Sequence, residues 1–122
     1  MRKDKRLAER ITYTCAVSFT GEIPSQPHQG TGLTQNISIT GLKIISHSPV
    51  TRGTLLTISL ALPDGQPPLT IYSAHVVWVS GAHFSVRFLR LHRDQRKRIL
   101  SFVLKHIGKA AMNDSWSRFT LM

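Results

Sequence analysis

Acidic residues are scarce in this chain: six Asp/Glu stand against 16 Lys/Arg. Six scattered carboxylates offer no pair for general acid–base work, and neither a Gly-x-Ser-x-Gly elbow nor a phosphate loop is present. An enzyme is therefore not expected. Cysteine is rarer still. Cys15 alone excludes an internal disulfide framework and fits a reducing compartment; within an apolar segment it reads as a small core residue. The histidines His28, His47, His75, His83, His92 and His106 lack metal-ligand spacing, so neither metal nor cofactor is expected. Long apolar runs are missing too. Thr54–Leu62 and Ala74–Val79 fall far short of the ~20 residues a membrane span needs. The first ten residues hold five Lys/Arg and no apolar run, which does not describe a secretory signal. The expectation from these absences is a soluble, cytoplasmic protein.

What is present in excess is positive charge, a formal +10 over 122 residues. Such a surplus favours anionic partners: nucleotides, nucleic acid, acidic lipid or an acidic protein face. It falls into two clusters. Arg2, Lys3, Lys5, Arg6 and Arg10 lead the chain; Arg87, Arg90, Arg93, Arg96, Lys97 and Arg98 lie around the end of the last strand and the start of a helix. The alternative for either cluster is a solvated face with no partner. The length suits one domain, which buries roughly 65% of the surface its unfolded chain exposes.

The apolar patterning reads as six short strands followed by one helix. Tyr13–Phe19 is the first expected strand, with Gly21 and Pro24 as breakers; Ser25–Gly32 is a loop and Leu33–Ile37 a short strand. Leu42–Ser46 follows with Lys43 on its exposed side. Thr54–Leu62 ends at the Pro63-Asp64-Gly65 turn. Leu69–Val79 then turns at Ser80-Gly81 into Ala82–Leu91, where Phe84, Val86 and Phe88 share one face. After that the period changes. Ile99, Phe102, Val103 and Ile107 form a helical stripe over about Arg93–Ile107, with Gly108 as the expected stop and 109–122 as a C-terminal tail. The pattern predicts a mainly β fold, a small six-stranded antiparallel barrel with a C-terminal helix.

Two short motifs carry the chemistry. In Arg6-Leu-Ala-Glu-Arg10, two guanidinium forks stand four apart, and each fork bonds guanine O6 and N7, or a phosphate, bidentately. In Asn36-Ile-Ser38-Ile-Thr-Gly41, Asn36 can bond a base edge and the Ser38 hydroxyl a base or phosphate. Gly41 lets the backbone turn and a ligand approach. The bland alternatives are a solvated basic tail and a strand-to-strand turn in which Asn and Ser satisfy their own backbone.

Taken together, the motifs resemble those of the PilZ domain family, the bacterial receptor module for cyclic di-GMP. There an Arg-x-x-x-Arg motif directly precedes the first barrel strand, and an Asp/Asn-x-Ser-x-x-Gly motif follows on the barrel rim. Arg10 abuts Ile11, which selects Arg6 and Arg10 over the equally spaced Arg2 and Arg6. Val76-Val77-Trp78-Val79-Ser80-Gly81-Ala82-His83-Phe84-Ser85-Val86-Arg87-Phe88 is similar to the family's final hairpin, so the resemblance spans about Arg6 to Ile107. Asn36 replaces the commoner Asp, turning a charge-assisted bond into a weaker neutral one. Ser85 stands where Gly is common.

The resemblance implies a non-catalytic cyclic di-GMP receptor. Residues 1–11 would be a flexible basic arm and 12–108 the barrel and helix. Arg6, Arg10, Asn36, Ser38 and Gly41 would hold the ligand, with Arg2 and Lys5 as accessory contacts, and a downstream protein partner would read the signal. Two rivals remain. One is a nucleic-acid binder of the OB type using Tyr13, Tyr72 and Trp78, disfavoured because the charges do not interleave with the aromatics. The other is a PilZ-like interaction module without nucleotide, docking through the basic helix start.

Overall fold

Alternation of apolar and polar residues closes this chain into a barrel, because each strand has one face that must leave water. The computed structural model describes residues 10–22 and 29–121, with side chains described as far as Ile107. The strands are β1 (Ile11–Thr12), β2 (Ala16–Gly21), β3 (Gln29–Ile37), β4 (Gly41–Ile45), β5 (Leu55–Leu60), β6 (Leu69–Ser80) and β7 (His83–Phe88). One helix, α1 (Arg93–Leu121), follows. All pairings are antiparallel. Around the ring the order is β3-β2-β5-β6-β7-β4, and β3 paired with β4 closes it; β1 is an extra strand on β3. The expected mainly β fold, with six barrel strands and a C-terminal helix, is what the chain adopts.

Inward residues from every barrel strand form the core, among them Val17, Phe19, Ile37, Leu42, Ile44, Leu56, Ile58, Ile71, Val76, Phe84 and Val86. Phe19 and Phe84 meet edge to face with ring centroids 5.4 Å apart. Cys15 is buried as expected, and burial pushes its thiol up against the opposing effect of a hydrogen bond with Thr34.

Four boundaries differ from the sequence expectation. The first strand splits into β1 and β2, because the chain breaks its ladder at Tyr13–Cys15. There the Thr34 hydroxyl takes over: it accepts from the Cys15 N–H at 2.7 Å and donates to the Tyr13 carbonyl at 2.6 Å. Second, strand β3 starts at Gln29, inside the expected Ser25–Gly32 loop. Its glycines are there for space: a Cβ on Gly30 would sit 2.4 Å from Ser48 Cβ, and one on Gly32 2.5 Å from the Ile45 carbonyl oxygen. Third, Gly108 does not stop the helix, which continues to Leu121. A helical glycine costs only ~1 kcal/mol, and Lys105, Lys109, Ala110, Ala111 and Met112 around it are good helix formers. The last hairpin turns at Gly81-Ala82, one residue later than expected, with Ser80 opposite His83 and Gly81 at φ 59°.

The helix packs Ile99, Phe102 and Val103 into the barrel end, with Ile107 partly buried behind them. Tyr13 wedges between, its ring edge-on to Phe102 at 5.0 Å and to His106 at 4.7 Å. At the start, Gln95 accepts from the His92 N–H at 3.0 Å, capping the first turn, while Asp94 faces the positive end of the helix dipole. Arg98 donates from Nε to Asp64 Oδ2 at 2.6 Å and from Nη2 to Oδ1 at 2.8 Å, tying the β5–β6 connection to the helix. The Arg98 hydrogen bonds hold the Asp64 carboxyl below its usual range. Its contribution is thus complete above the ordinary carboxylate pKa and is lost as pH falls through the depressed value. Asp64→Asn should lower the thermal midpoint at neutral pH by an amount worth at most ~1 kcal/mol, and the gap to wild type should close as pH falls from neutral through the ordinary carboxylate pKa and then the depressed one. A melting series across that range checks both the size and the direction.

Candidate functional site

The turn between β3 and β4 is built by one side chain. Ser38 is 1% exposed, and its hydroxyl accepts from the N–H groups of Thr40 at 3.1 Å and Gly41 at 3.2 Å. It lies 2.8 Å from the Thr40 hydroxyl and 3.2 Å from the Gly41 carbonyl, to which it can donate. The Ser38 N–H closes the turn on the same carbonyl at 3.0 Å. These partners take up the hydroxyl, so here Ser38 satisfies backbone that a tight connection would leave unpaired.

Gly41 is required by its neighbour in the barrel. A Cβ there would stand 2.0 Å from the Val86 carbonyl oxygen on β7, a backbone atom that cannot swing away. Its φ is not in the left-handed region, so the expected freedom to turn is not what the position uses. Close approach of two strands is.

Strand register then brings the two motifs together. Ile11 pairs with Ile37 and Thr12 with Asn36, so continuation of the ladder sets Arg10 across from Ser38. Arg10 is exposed and makes no ion pair among the described residues. Asn36 is half-buried, and its carboxamide makes no side-chain hydrogen bond among them. Arg6, Arg2 and Lys5 lie outside the described residues.

The same register continues sideways. Asn36 pairs with Lys43, Lys43 with Ser85, and Ser85 with Trp78, a row about 14 Å long across four strands on the outer face. At its far end Trp78 is 43% exposed, with Lys43 Nζ 5.3 Å from its ring centroid. Beside the row, Gln35 Oε1 and His83 Nδ1 lie 3.1 Å apart. Arg87 pairs with Gly41 on β7, so it borders this turn and stands apart from the helix-start arginines. Sequence reading placed Lys43 outward but missed the Lys43–Trp78 pair. Strict alternation puts Trp78 on the same face as Val76; a bulge at Val77 reverses that. Among the described residues no group of three metal-ligating side chains occurs.

The family model described as "PilZ domain" matches residues 2–105. The chain belongs to the PilZ domain family. No curated protein matches it. Solved structures do, at the level of fold. The PilZ domain of CeSA from a cellulose-synthesizing bacterium aligns with TM-score 0.62 and 19% identity, over 80% of this chain and 97% of that one. The PilZ domain of YcgR from Escherichia coli, solved with c-di-GMP, aligns with TM-score 0.66 and 12% identity, over 88% and 95%. The Bacillus subtilis inhibitor of motility MotI/DgrA gives TM-score 0.66 and 14% identity over 84% of this chain. The PilZ chain spans 51% of that protein's length.

The geometry separates roles within the second motif. Ser38→Ala should destabilise the ligand-free protein by ~1–3 kcal/mol, because it strands two turn N–H groups. Gly41→Ala should cost ~1–3 kcal/mol or more through overpacking against β7, whereas Asn36→Ala should leave stability within about 0.5 kcal/mol. Chemical denaturation of the three variants checks this ordering.

Proposed function

We propose that this chain is a non-catalytic receptor for cyclic di-GMP. The observation that carries the reading is the juxtaposition set by β1 and β3, with Arg10 across from the Asn36–Gly41 turn. Among the described residues, a fork free of ion pairs and an amide without side-chain hydrogen bonds lie on neighbouring strands of the rim. The arginine meets guanine or phosphate, and Asn36 bonds the other edge of the base. Ser38 and Gly41 shape the turn that presents them. Family membership supports the reading, as does the likeness to a YcgR PilZ domain solved with the same nucleotide.

The outer row extends the site. Lys43 offers a charge for phosphate, and Trp78 offers a face on which a purine stacks. Arg6 joins from the arm as the second fork, with Arg2 and Lys5 behind it. The liganded surface is then read by a downstream protein partner in the cytoplasm. The OB-type nucleic-acid reading loses support from the positions of its aromatics. Tyr13 is packed under the helix, while Tyr72 and Trp78 lie well apart along β6.

Arg10→Ala should weaken cyclic di-GMP binding by ~1.5–3 kcal/mol, roughly 10- to 150-fold, by titration calorimetry with cyclic di-AMP and GMP as controls. Wild-type affinity in that variant would defeat the clamp. In a Trp116→Phe background the nucleotide should quench Trp78 fluorescence saturably; emission unmoved at saturation would remove Trp78 from the site.

A further inference from the structure

The helix-start arginines are not among the residues proposed for the nucleotide site, and two exposed apolar side chains lie near the start of that helix. Tyr72 is 56% exposed and Leu89 57%, the most exposed of the large hydrophobics described. Their backbones are close: the Leu89 N–H donates to the carbonyl of Ser73, the residue after Tyr72, at 3.3 Å, and Arg90 follows Leu89 in the chain. The first helical turn is tied to the same strand by the Gln95 side chain, which donates to the Thr70 carbonyl. Arg93 and Arg96 follow one turn apart on the helix that starts beside this strand. Arg90, Arg93 and Arg96 are exposed and without ion pairs among the described residues; Asp94 is the one exposed carboxylate beside them.

The backbone under Tyr72 is a built feature. Ser73 sits in a bulge at φ 57°, a conformation that costs a non-glycine residue ~1–2 kcal/mol. Glu22 holds it there. Its carboxylate accepts from the Ser73 N–H at 2.6 Å, the Ser73 hydroxyl at 3.3 Å and the Thr57 hydroxyl at 3.1 Å. The other acid of the barrel, Asp64, is engaged by Arg98. Glu22 and Asp64 are thus engaged elsewhere, and Asp94 is the one described carboxylate left beside the solvent-facing arginines.

We propose that the surface formed by Tyr72, Leu89, Arg90, Arg93 and Arg96 docks an acidic segment of a partner protein, with an apolar side chain of that segment seated between Tyr72 and Leu89. The residue types argue for protein. Guanidinium forks pair bidentately with carboxylates, and tyrosine and arginine on a rigid backbone are the side chains that dominate protein interfaces. A single-stranded nucleic acid needs successive stacking platforms, and Tyr72 is the patch's only aromatic. Two apolar side chains are too few to anchor in a bilayer. A second copy would bring like charges together on a chain of net +10. The surface also adjoins the motif turn, because the Phe88 N–H donates to the Thr40 carbonyl at 2.9 Å. The proposal nevertheless stands without the nucleotide reading.

The test is fluorescence anisotropy with a labelled peptide of Asp and Glu carrying two leucines. The same peptide with serines for leucines, an oligouridine of equal length and phosphatidylserine vesicles are the comparisons. The leucine peptide should bind at least about tenfold more tightly than the serine peptide, and more tightly than RNA or vesicles. Tyr72→Ser/Leu89→Ser and Arg90→Glu/Arg93→Glu should each weaken it at least about tenfold, with wild-type circular dichroism and unchanged cyclic di-GMP titration. No peptide binding, equal binding of both peptides, tighter binding of RNA or vesicles, or insensitivity to both double variants overturns the proposal.

Discussion

The contact on which the architecture turns is the approach of Gly41 to the Val86 carbonyl, where β4 meets β7. A barrel has no free edge only if its last gap closes, and here β4 bridges β3 and β7. A side chain at residue 41 would push β4 off β7 at the very residue where the strand leaves the turn. Ser38 makes the other half of that closure, holding the turn so tightly that Gly41 arrives in register. Arg10 and Asn36 are functional candidates because this corner sets their placement: β1 is laid against the end of β3 that the Ser38 turn closes.

Bulges decide which side chains the outside of the barrel displays. At Val77 an extra residue reverses the alternation along β6, so Val76 points into the core and Trp78 out. At Tyr72–Ser73 a second extra residue, pinned by Glu22, keeps Ile71 and Ala74 both inward while leaving Tyr72 in solvent. The two bulges lie four residues apart on one strand, and each has an exposed aromatic next to it. One long strand thereby serves two surfaces, the row leading to Asn36 and the patch at the helix start.

Much of this was legible in the residues. Period-two patterning in β7 and the stripe Ile99, Phe102, Val103 and Ile107 announced strand and helix faces, because burial imposes those periods directly. The motif residues were equally visible as a set. The Ser38 role was readable only as one of two options, since a hydroxyl that bonds its own turn and one that bonds a ligand look alike in a sequence. Gly30 and Gly32 misled for a related reason: glycine signals a loop or a crowded strand, and only the neighbours Ser48, Phe19 and Ile45 tell which. Gly108 read as a helix stop, yet its helix-forming flanks carry the helix past it.

By itself the sequence determined the class of fold, the sign of the charge and the chemistry of the two motifs, because each is a property of residue types and their local spacing. Tertiary structure alone decided that Arg10 stands across from Ser38, that Trp78 faces outward by Lys43, and that Arg87 pairs with Gly41 while Arg98 engages Asp64. Those outcomes depend on strand register and bulges. Both are set by packing between segments far apart in the chain, and a one-residue shift in either turns a side chain from core to solvent.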